Sequence, residues 1–238
     1  MNQLARTAVQ PPRTLEGLPI GFCPPEEAAA CGYELHIRAT GRVPTRTGNV
    51  HDLFNALAWL AFPRSKAAMN ARHAARIPRE GGARGRLRDL LTLLDESGVV
   101  VACADPGLAA CVREARWMEL FWARREAVQR AMRFVILGHA AYEKAQAPYP
   151  GITCKALFIN VSEQELGHPV EDLTRLLDAG AATWVQELPE EATPRLLPPL
   201  PIFGYPGWMP GNDAPGFYAD TRWFRPQRRH DKALETFG

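Results

Sequence analysis

Residues 50–77 read VHDLFNALAWLAFPRSKAAMNARHAARI, and this stretch decides how the rest of the chain is organised. Leu53, Phe54, Leu57, Leu60 and Ala61 recur at helical spacing, so residues 52–62 are predicted to form an amphipathic helix. Pro63 interrupts it. Proline is poorly tolerated inside a helix but comfortable in a first turn, so a second helix is predicted from Pro63 to about Arg76. His51 and Asn55 are four apart and share a face of the first helix. Lys66, Asn70 and His73 share a face of the second. The two helices can therefore present a polar stripe to one cavity, offering a general base, an amide clamp and a cation. A structural reading stands beside it: Asp52 suits an N-cap or first-turn acid, and the amides and histidines suit buried ties between helices.

Outward from this segment the chain alternates between elements. Residues 1–18 are polar and proline-containing, as expected of an N-terminal arm, with one globular domain over residues 19–238. Pro24-Pro25-Glu26-Glu27 reads as a short helix start. After a Gly/Arg-rich loop from Pro78 to Arg88, the apolar runs Leu90–Leu94 and Val99–Cys103 flank Asp95-Glu96-Ser97-Gly98, which predicts a β-hairpin. Leu108 to Arg130 is predicted helical, Arg133 to Leu137 strand, Gly138 to Gln146 helix and Thr153 to Val161 strand. Asp172 to Ala179 is predicted as a helix ending at Gly180. From Leu188 onward prolines alternate with Trp208, Phe217, Tyr218, Trp223 and Phe224. A disordered tail is poor in aromatics, so residues 188–238 are read as an extended strap packed on the domain. The fold class is α+β, with a small, mostly antiparallel sheet.

Three further constellations carry possible chemistry. His139 follows Gly138 and lies four residues before Glu143, a spacing that suits two ligands of one metal ion or a base with its orienting carboxylate. Asp95 and Glu96 form an acidic pair that can bind a divalent cation, although Asp-x-x-Gly is also plain turn chemistry. Arg72, Arg76, Arg79, Arg84, Arg86 and Arg88 form a basic run in which Arg79, Arg84 and Arg86 are candidates for holding a phosphate or an RNA backbone. A solvated loop is the alternative. There is no G-x-S-x-G elbow, Walker loop, G-x-G-x-x-G fingerprint or H-E-x-x-H motif.

The bulk properties limit the partners. A net charge of +2 over 238 residues gives no global attraction to nucleic acid or to a membrane. The five cysteines (Cys23, Cys31, Cys103, Cys111, Cys154) contain no C-x-x-C pair and fit reduced thiols in a cytoplasm. No stretch approaches the roughly 18 apolar residues of a membrane span.

The residues 51–73, Leu94-Asp95-Glu96-Ser97-Gly98, Gly138-His139-Ala-Ala-Tyr-Glu143-Lys144 and Pro199-Leu-Pro-Ile-Phe-Gly204-Tyr-Pro206-Gly207-Trp208 together resemble a bacterial family of unknown function, number 3025 in the domain-of-unknown-function series. The resemblance runs from about Val50 to Pro226 and implies a single domain with the strap as an integral part; it implies no activity. The residues themselves favour an enzyme in which His51, Asp52, Asp95, Glu96, His139 and Glu143 share a pocket with Asn55, Lys66 and His73, with a divalent metal held by His51, His139 and Glu143. Hydrolysis of a phosphoester or amide is the expected reaction, with Lys66 or the loop arginines neutralising charge. This requires His51 and His139 to be neighbours in space. A phosphate- or RNA-binding module built on the arginine loop and a structural interaction protein built on the strap are the other two readings.

Overall fold

The computed structural model describes residues 1–80 and 84–226. Helix α1 (Asn2–Thr7) opens the chain, and the Asn2 side chain brackets the backbone of Phe22, donating to its carbonyl at 3.0 Å and accepting from its N–H at 2.6 Å. Ala5 and Thr14 are buried. The expected polar arm is therefore a packed part of the fold. Strand β1 (Gly21–Cys23) leads through a 3-10 turn (Pro25–Ala28) and α2 (Tyr33–Thr40) to β2 (Arg42–Pro44), which pairs with β1 in parallel. A small core of Ile20, Phe22, Ile37 and Val43 closes this lobe against Trp59.

Helices α3 (Val50–Ala61) and α4 (Pro63–Arg76) follow, broken at Phe62 as the proline demanded. Asn49 is the N-cap of α3, its side chain accepting from the Asp52 N–H at 3.0 Å. Asp178 caps α4 from outside, accepting from the backbone N–H of Arg64 and Ser65 and from Ser65 Oγ. Four orphan donors at a helix start need such partners, and a buried carboxylate supplies them here.

Helix α5 (Arg86–Ser97) runs directly into β3 (Gly98–Cys103), so the expected hairpin is not formed. Leu87, Leu90, Leu91 and Leu94 are all buried at i, i+3, i+4 and i+7, which is a helical face and not a strand. Asp95 and Glu96 accordingly sit in the last turn of a helix. The predicted helix over residues 108–130 is also divided, into α6 (Pro106–Arg113), a π-type turn (Glu119–Ala123) and α7 (Arg125–Ala131), with Ala115 at φ 52 marking the break. Strand β4 (Met132–Ile136), helix α8 (His139–Ala145) and strand β5 (Cys154–Asn160) match the expectation. Short α9 (Glu163–Leu166) precedes α10 (Val170–Glu187), which passes through Gly180 instead of ending there. A side chain at that glycine would come within 3.2 Å of Ile159, so close helix–sheet packing explains the residue. The strap carries β6 (Pro199–Leu200) and α11 (Pro215–Ala219).

The four-stranded sheet has the order β4-β3-β5-β6. Its central pair, β3 with β5, is parallel, and the flanking pairs are antiparallel, so the sheet is mixed and not mostly antiparallel. Every residue of β3 is buried, and its side chains divide between two cores. Val100 and Ala102 face α4, α5 and α10, while Val99 and Val101 face the aromatic layer. That layer is closed by the strap: Phe121 stacks on Trp117 and Tyr218, and Ile202, Phe203 and Phe224 are buried around it. Each such side chain contributes roughly 1.5–3 kcal/mol of hydrophobic stabilisation. No helix among the described residues is long and apolar enough to cross a membrane.

Candidate functional site

Gly138 makes the site possible. A Cβ there would lie 2.4 Å from the Gly98 nitrogen and 2.6 Å from the Ser97 nitrogen and the Glu96 carbonyl, so only glycine lets the start of α8 touch the end of α5. This contact sets His139, the first residue of α8, against Asp95 in the last turn of α5, with Nδ1 3.7 Å from Oδ2. Helix α3 packs on α8 and brings His51 to the other edge of His139. The two Nε2 atoms are 3.1 Å apart, and the rings meet edge to face at 74°. Glu143, one turn along α8, turns away from His139 and receives His51 Nδ1 at 3.0 Å.

A buried chain of polar groups continues inward. Lys66 on α4 is 4% exposed and donates to both the Asp95 carboxylate and Asn55 Oδ1, the latter at 2.8 Å. Asn55 in turn donates to the Tyr33 hydroxyl at 2.7 Å. Asn70 donates to the carbonyl and carboxylate of Glu34 at 2.9 and 2.6 Å. His73 is buried and receives Arg88 Nε at 3.4 Å. Five helices thus supply one network.

The electrostatics follow from burial. Burial alone would raise the Asp95 carboxyl, but the Lys66 ammonium and the facing His139 hold it below the usual carboxylate range. Burial pulls His139 down to about 4 against the pull of Asp95, and His73 likewise to about 4. Both imidazoles are therefore neutral near pH 7. Burial lifts Glu34 to about 7, opposed by its hydrogen bond from Asn70. Burial and the nearby Glu34 and Asp95 carboxylates also raise the Tyr33 phenol.

The sequence candidates separate cleanly. His51, Asn55, Lys66, His73, Asp95, His139 and Glu143 converge. Asp52 does not: it points to Arg46, accepting from its backbone N–H at 2.7 Å and its guanidinium at 2.8 and 2.9 Å. Consecutive residues on a helix point about 100° apart, so Asp52 faces Arg46 while His51 faces α8. Glu96 is exposed on the far side of α5 from the buried leucines. Lys66 holds Asp95 and is too buried to neutralise charge on a bound molecule. In the basic run, Arg72, Arg76 and Arg88 are committed to Glu190, Glu80 and the Leu188 carbonyl, whereas Arg79, Arg84 and Arg86 are exposed. Gly81-Gly82 of the loop lies outside the described residues. Tyr33 and Glu34 carry no local signal of their role, since they start a short helix without any distinctive spacing.

Glu143 cannot join His51 and His139 as a ligand of one ion, because it sits on the opposite edge of the His51 ring from His139. What remains is a pair of Nε2 atoms facing one space. Each ring presents its Nδ1 to a carboxylate: Glu143 behind His51, Asp95 behind His139. That is the outer-shell arrangement of metal-bound histidines.

The sequence model of a family described as protein of unknown function (DUF3025) matches residues 21–228. The chain belongs to this family. The matched stretch contains every group of the network, from Tyr33 to Glu143, and most of the strap. No curated protein and no solved structure matches the chain. The family description assigns no activity to these residues.

Proposed function

We propose that the protein is a divalent-metal-dependent hydrolase whose ion is held by His51 and His139 through their facing Nε2 atoms, with the remaining coordination positions open to water and substrate. One observation carries this reading: the unpartnered, buried Nδ1 of His139. A carboxylate accepts only, so His51 Nδ1 carries the hydrogen given to Glu143. In the tautomer with a single proton on His51 its Nε2 is bare and His139 donates to it, which leaves the His139 Nδ1 lone pair facing the Asp95 carboxylate. An ion between the two Nε2 atoms uses both lone pairs and returns the His139 proton to Nδ1, toward Asp95. Bond lengths near 2.0–2.1 Å place two imidazole nitrogens of one tetrahedral ion about 3.3 Å apart, close to the observed 3.1 Å.

A divalent ion there supplies Lewis-acid activation of water and of a phosphoryl or acyl oxygen. Hydrolysis of a phosphoester or amide then splits water between the electrophilic centre and the leaving group. His51 and Glu143, at the exposed edge, flank the point where a substrate reaches the site. The network from Asp95 through Lys66 to Asn55 fixes His139 in place. The binding-module reading draws less support, since a net charge of +2 gives no global attraction to a polyanion and only Arg79, Arg84 and Arg86 of the basic run are left uncommitted among the described residues.

The test is turnover of chromogenic phosphodiesters, phosphomonoesters and anilides by the purified protein, with zinc, manganese or cobalt added in turn. Metal-dependent turnover that His139→Ala abolishes and Glu96→Ala leaves intact supports the reading. Equal rates with chelator present overturn it.

A further inference from the structure

We propose that Cys23, Glu27 and His36 form a second, thiolate-containing zinc site that staples the N-terminal lobe, separate from the His51–His139 centre. The three side chains come from three consecutive elements: Cys23 ends β1, Glu27 lies in the 3-10 turn that follows, and His36 faces them from α2. Each offers one ligand atom, and the three atoms lie within 4.8 Å of one another, the only such three-ligand group among the described residues. Cys23 Sγ is 3.9 Å from His36 Nε2, and both residues are buried. Zinc bond lengths of about 2.0–2.3 Å place tetrahedral ligand atoms roughly 3.3–3.6 Å apart. Closing the observed triangle onto an ion therefore needs side-chain shifts below about 1 Å.

The donor set selects the ion. One sulfur, one imidazole nitrogen and one carboxylate oxygen suit zinc or another borderline-soft transition ion and not magnesium or calcium. Arg42, from the paired strand β2, holds Glu27 in a two-pronged ion pair, Nε to Oε2 at 2.7 Å and Nη2 to Oε1 at 2.9 Å. Each carboxylate oxygen keeps a second lone pair, so Glu27 can ligate an ion without leaving Arg42. Such an oriented carboxylate is what an outer shell supplies. Without an ion, burial and the Glu27 carboxylate keep the Cys23 thiol protonated. Binding releases that proton, and the thiolate, the carboxylate, Arg42 and the ion then sum to one positive charge, which a bound hydroxide or anion balances.

Two features give the site a purpose. The lobe rests on a three-residue parallel strand pair and a core of only a few side chains, and small units of this kind commonly rely on a metal or disulfide staple. Cys23 also lines a cleft of about 650 Å³, with Pro24, Glu26, Thr45 and Asn49, and is the one ligand of the three on its wall. Three protein ligands leave the fourth position of a tetrahedral ion to water or another exogenous ligand.

Cobalt substitution of the full-length protein tests this, because a thiolate bound to cobalt(II) gives a charge-transfer band in the near ultraviolet that a two-histidine site cannot give. The expected result is one such band per chain at saturation. It is lost in Cys23→Ser, weakened at least tenfold in affinity in Glu27→Gln, and kept in Cys31→Ser and His139→Ala. The same zinc titration should raise the melting temperature of the parent protein. If wild-type protein shows no thiolate–cobalt band, or if the band survives in a folded Cys23→Ser variant, the site does not exist. The wild-type band does not depend on any variant folding. Its presence or absence is also independent of whether the His51–His139 centre is correct.

Discussion

His51 and His139, 88 residues apart in sequence, meet with their Nε2 atoms 3.1 Å apart and their ring centroids at 4.5 Å. Each is backed on its other nitrogen by a carboxylate of different character. Glu143 is exposed and lies in solvent reach, whereas Asp95 is tied to a buried ammonium. The pair therefore joins a surface edge to an interior network.

Lys66 and Asp95 should behave as a buried ion pair. Removing one partner leaves a charge without compensation, so Lys66→Met is expected to cost about 3–5 kcal/mol in urea denaturation. Lys66→Met combined with Asp95→Leu should recover much of that loss. A double variant as unstable as the sum of the single ones would show that the pair is not coupled.

Three groups with large shifts, His73, His139 and Glu34, dominate the expected pH dependence of stability between pH 4.5 and 6.5. His73 and His139 are lowered to about 4, so between pH 4 and 6.5 the unfolded chain binds more protons at both sites than the folded one. Stability from these groups is full above pH 6.5 and is lost as pH falls. Glu34 is raised to about 7, which acts in the opposite sense: its folded form keeps a proton between pH 4.5 and 7 that the unfolded chain releases. Two groups outweigh one, leaving a slope of up to about 1.4 kcal/mol per pH unit, rising from pH 4.5 to 6.5. Chemical denaturation of metal-free protein across that range checks it, and His73→Phe should flatten the slope. Stability that falls over this range would contradict the assignment.

Gly138→Ala is expected to be disproportionately harmful for a single methyl group. Its Cβ meets backbone atoms of Glu96, Ser97 and Gly98, which cannot rotate away. Overpacking of this type costs about 1–3 kcal/mol. More tellingly, displacement of α8 should separate His139 from Asp95 and weaken metal binding in molecules that remain folded. Calorimetric metal titration on that variant is the measurement.

Asp52→Ala should do little beyond helix α3. It removes an ion pair to an exposed Arg46 and a first-turn acid, together worth about 1 kcal/mol. Metal affinity and turnover are expected to stay at wild-type levels. A large loss of turnover would return Asp52 to the site.

The two helices around Pro63 were legible because a proline and a clear apolar spacing act locally. Helix α5 was not, since Leu90–Leu94 alone reads equally as strand or helix. Only Leu87, placed in the arginine loop by its neighbours, completes the helical period. Gly180 looked like a stop because its packing against Ile159 on β5 is a tertiary fact. At the site, the polar residue types marked His51, Asn55, Lys66, His73, Asp95, His139 and Glu143. Their pairing was not readable: Glu143 serves His51 and not its helix neighbour His139, because the approach of α3 to α8 is set by long-range packing. Tyr33 and Glu34 join the network only through such packing, and no local pattern announces them.

The proposed ion occupies one position in space, between the His51 and His139 Nε2 atoms. Crystals grown with zinc and measured at the zinc absorption edge test it most directly. An anomalous peak is expected within about 2.1 Å of both His51 Nε2 and His139 Nε2. A direct hydrogen bond between the two rings, with no peak there at full zinc occupancy elsewhere, would contradict it.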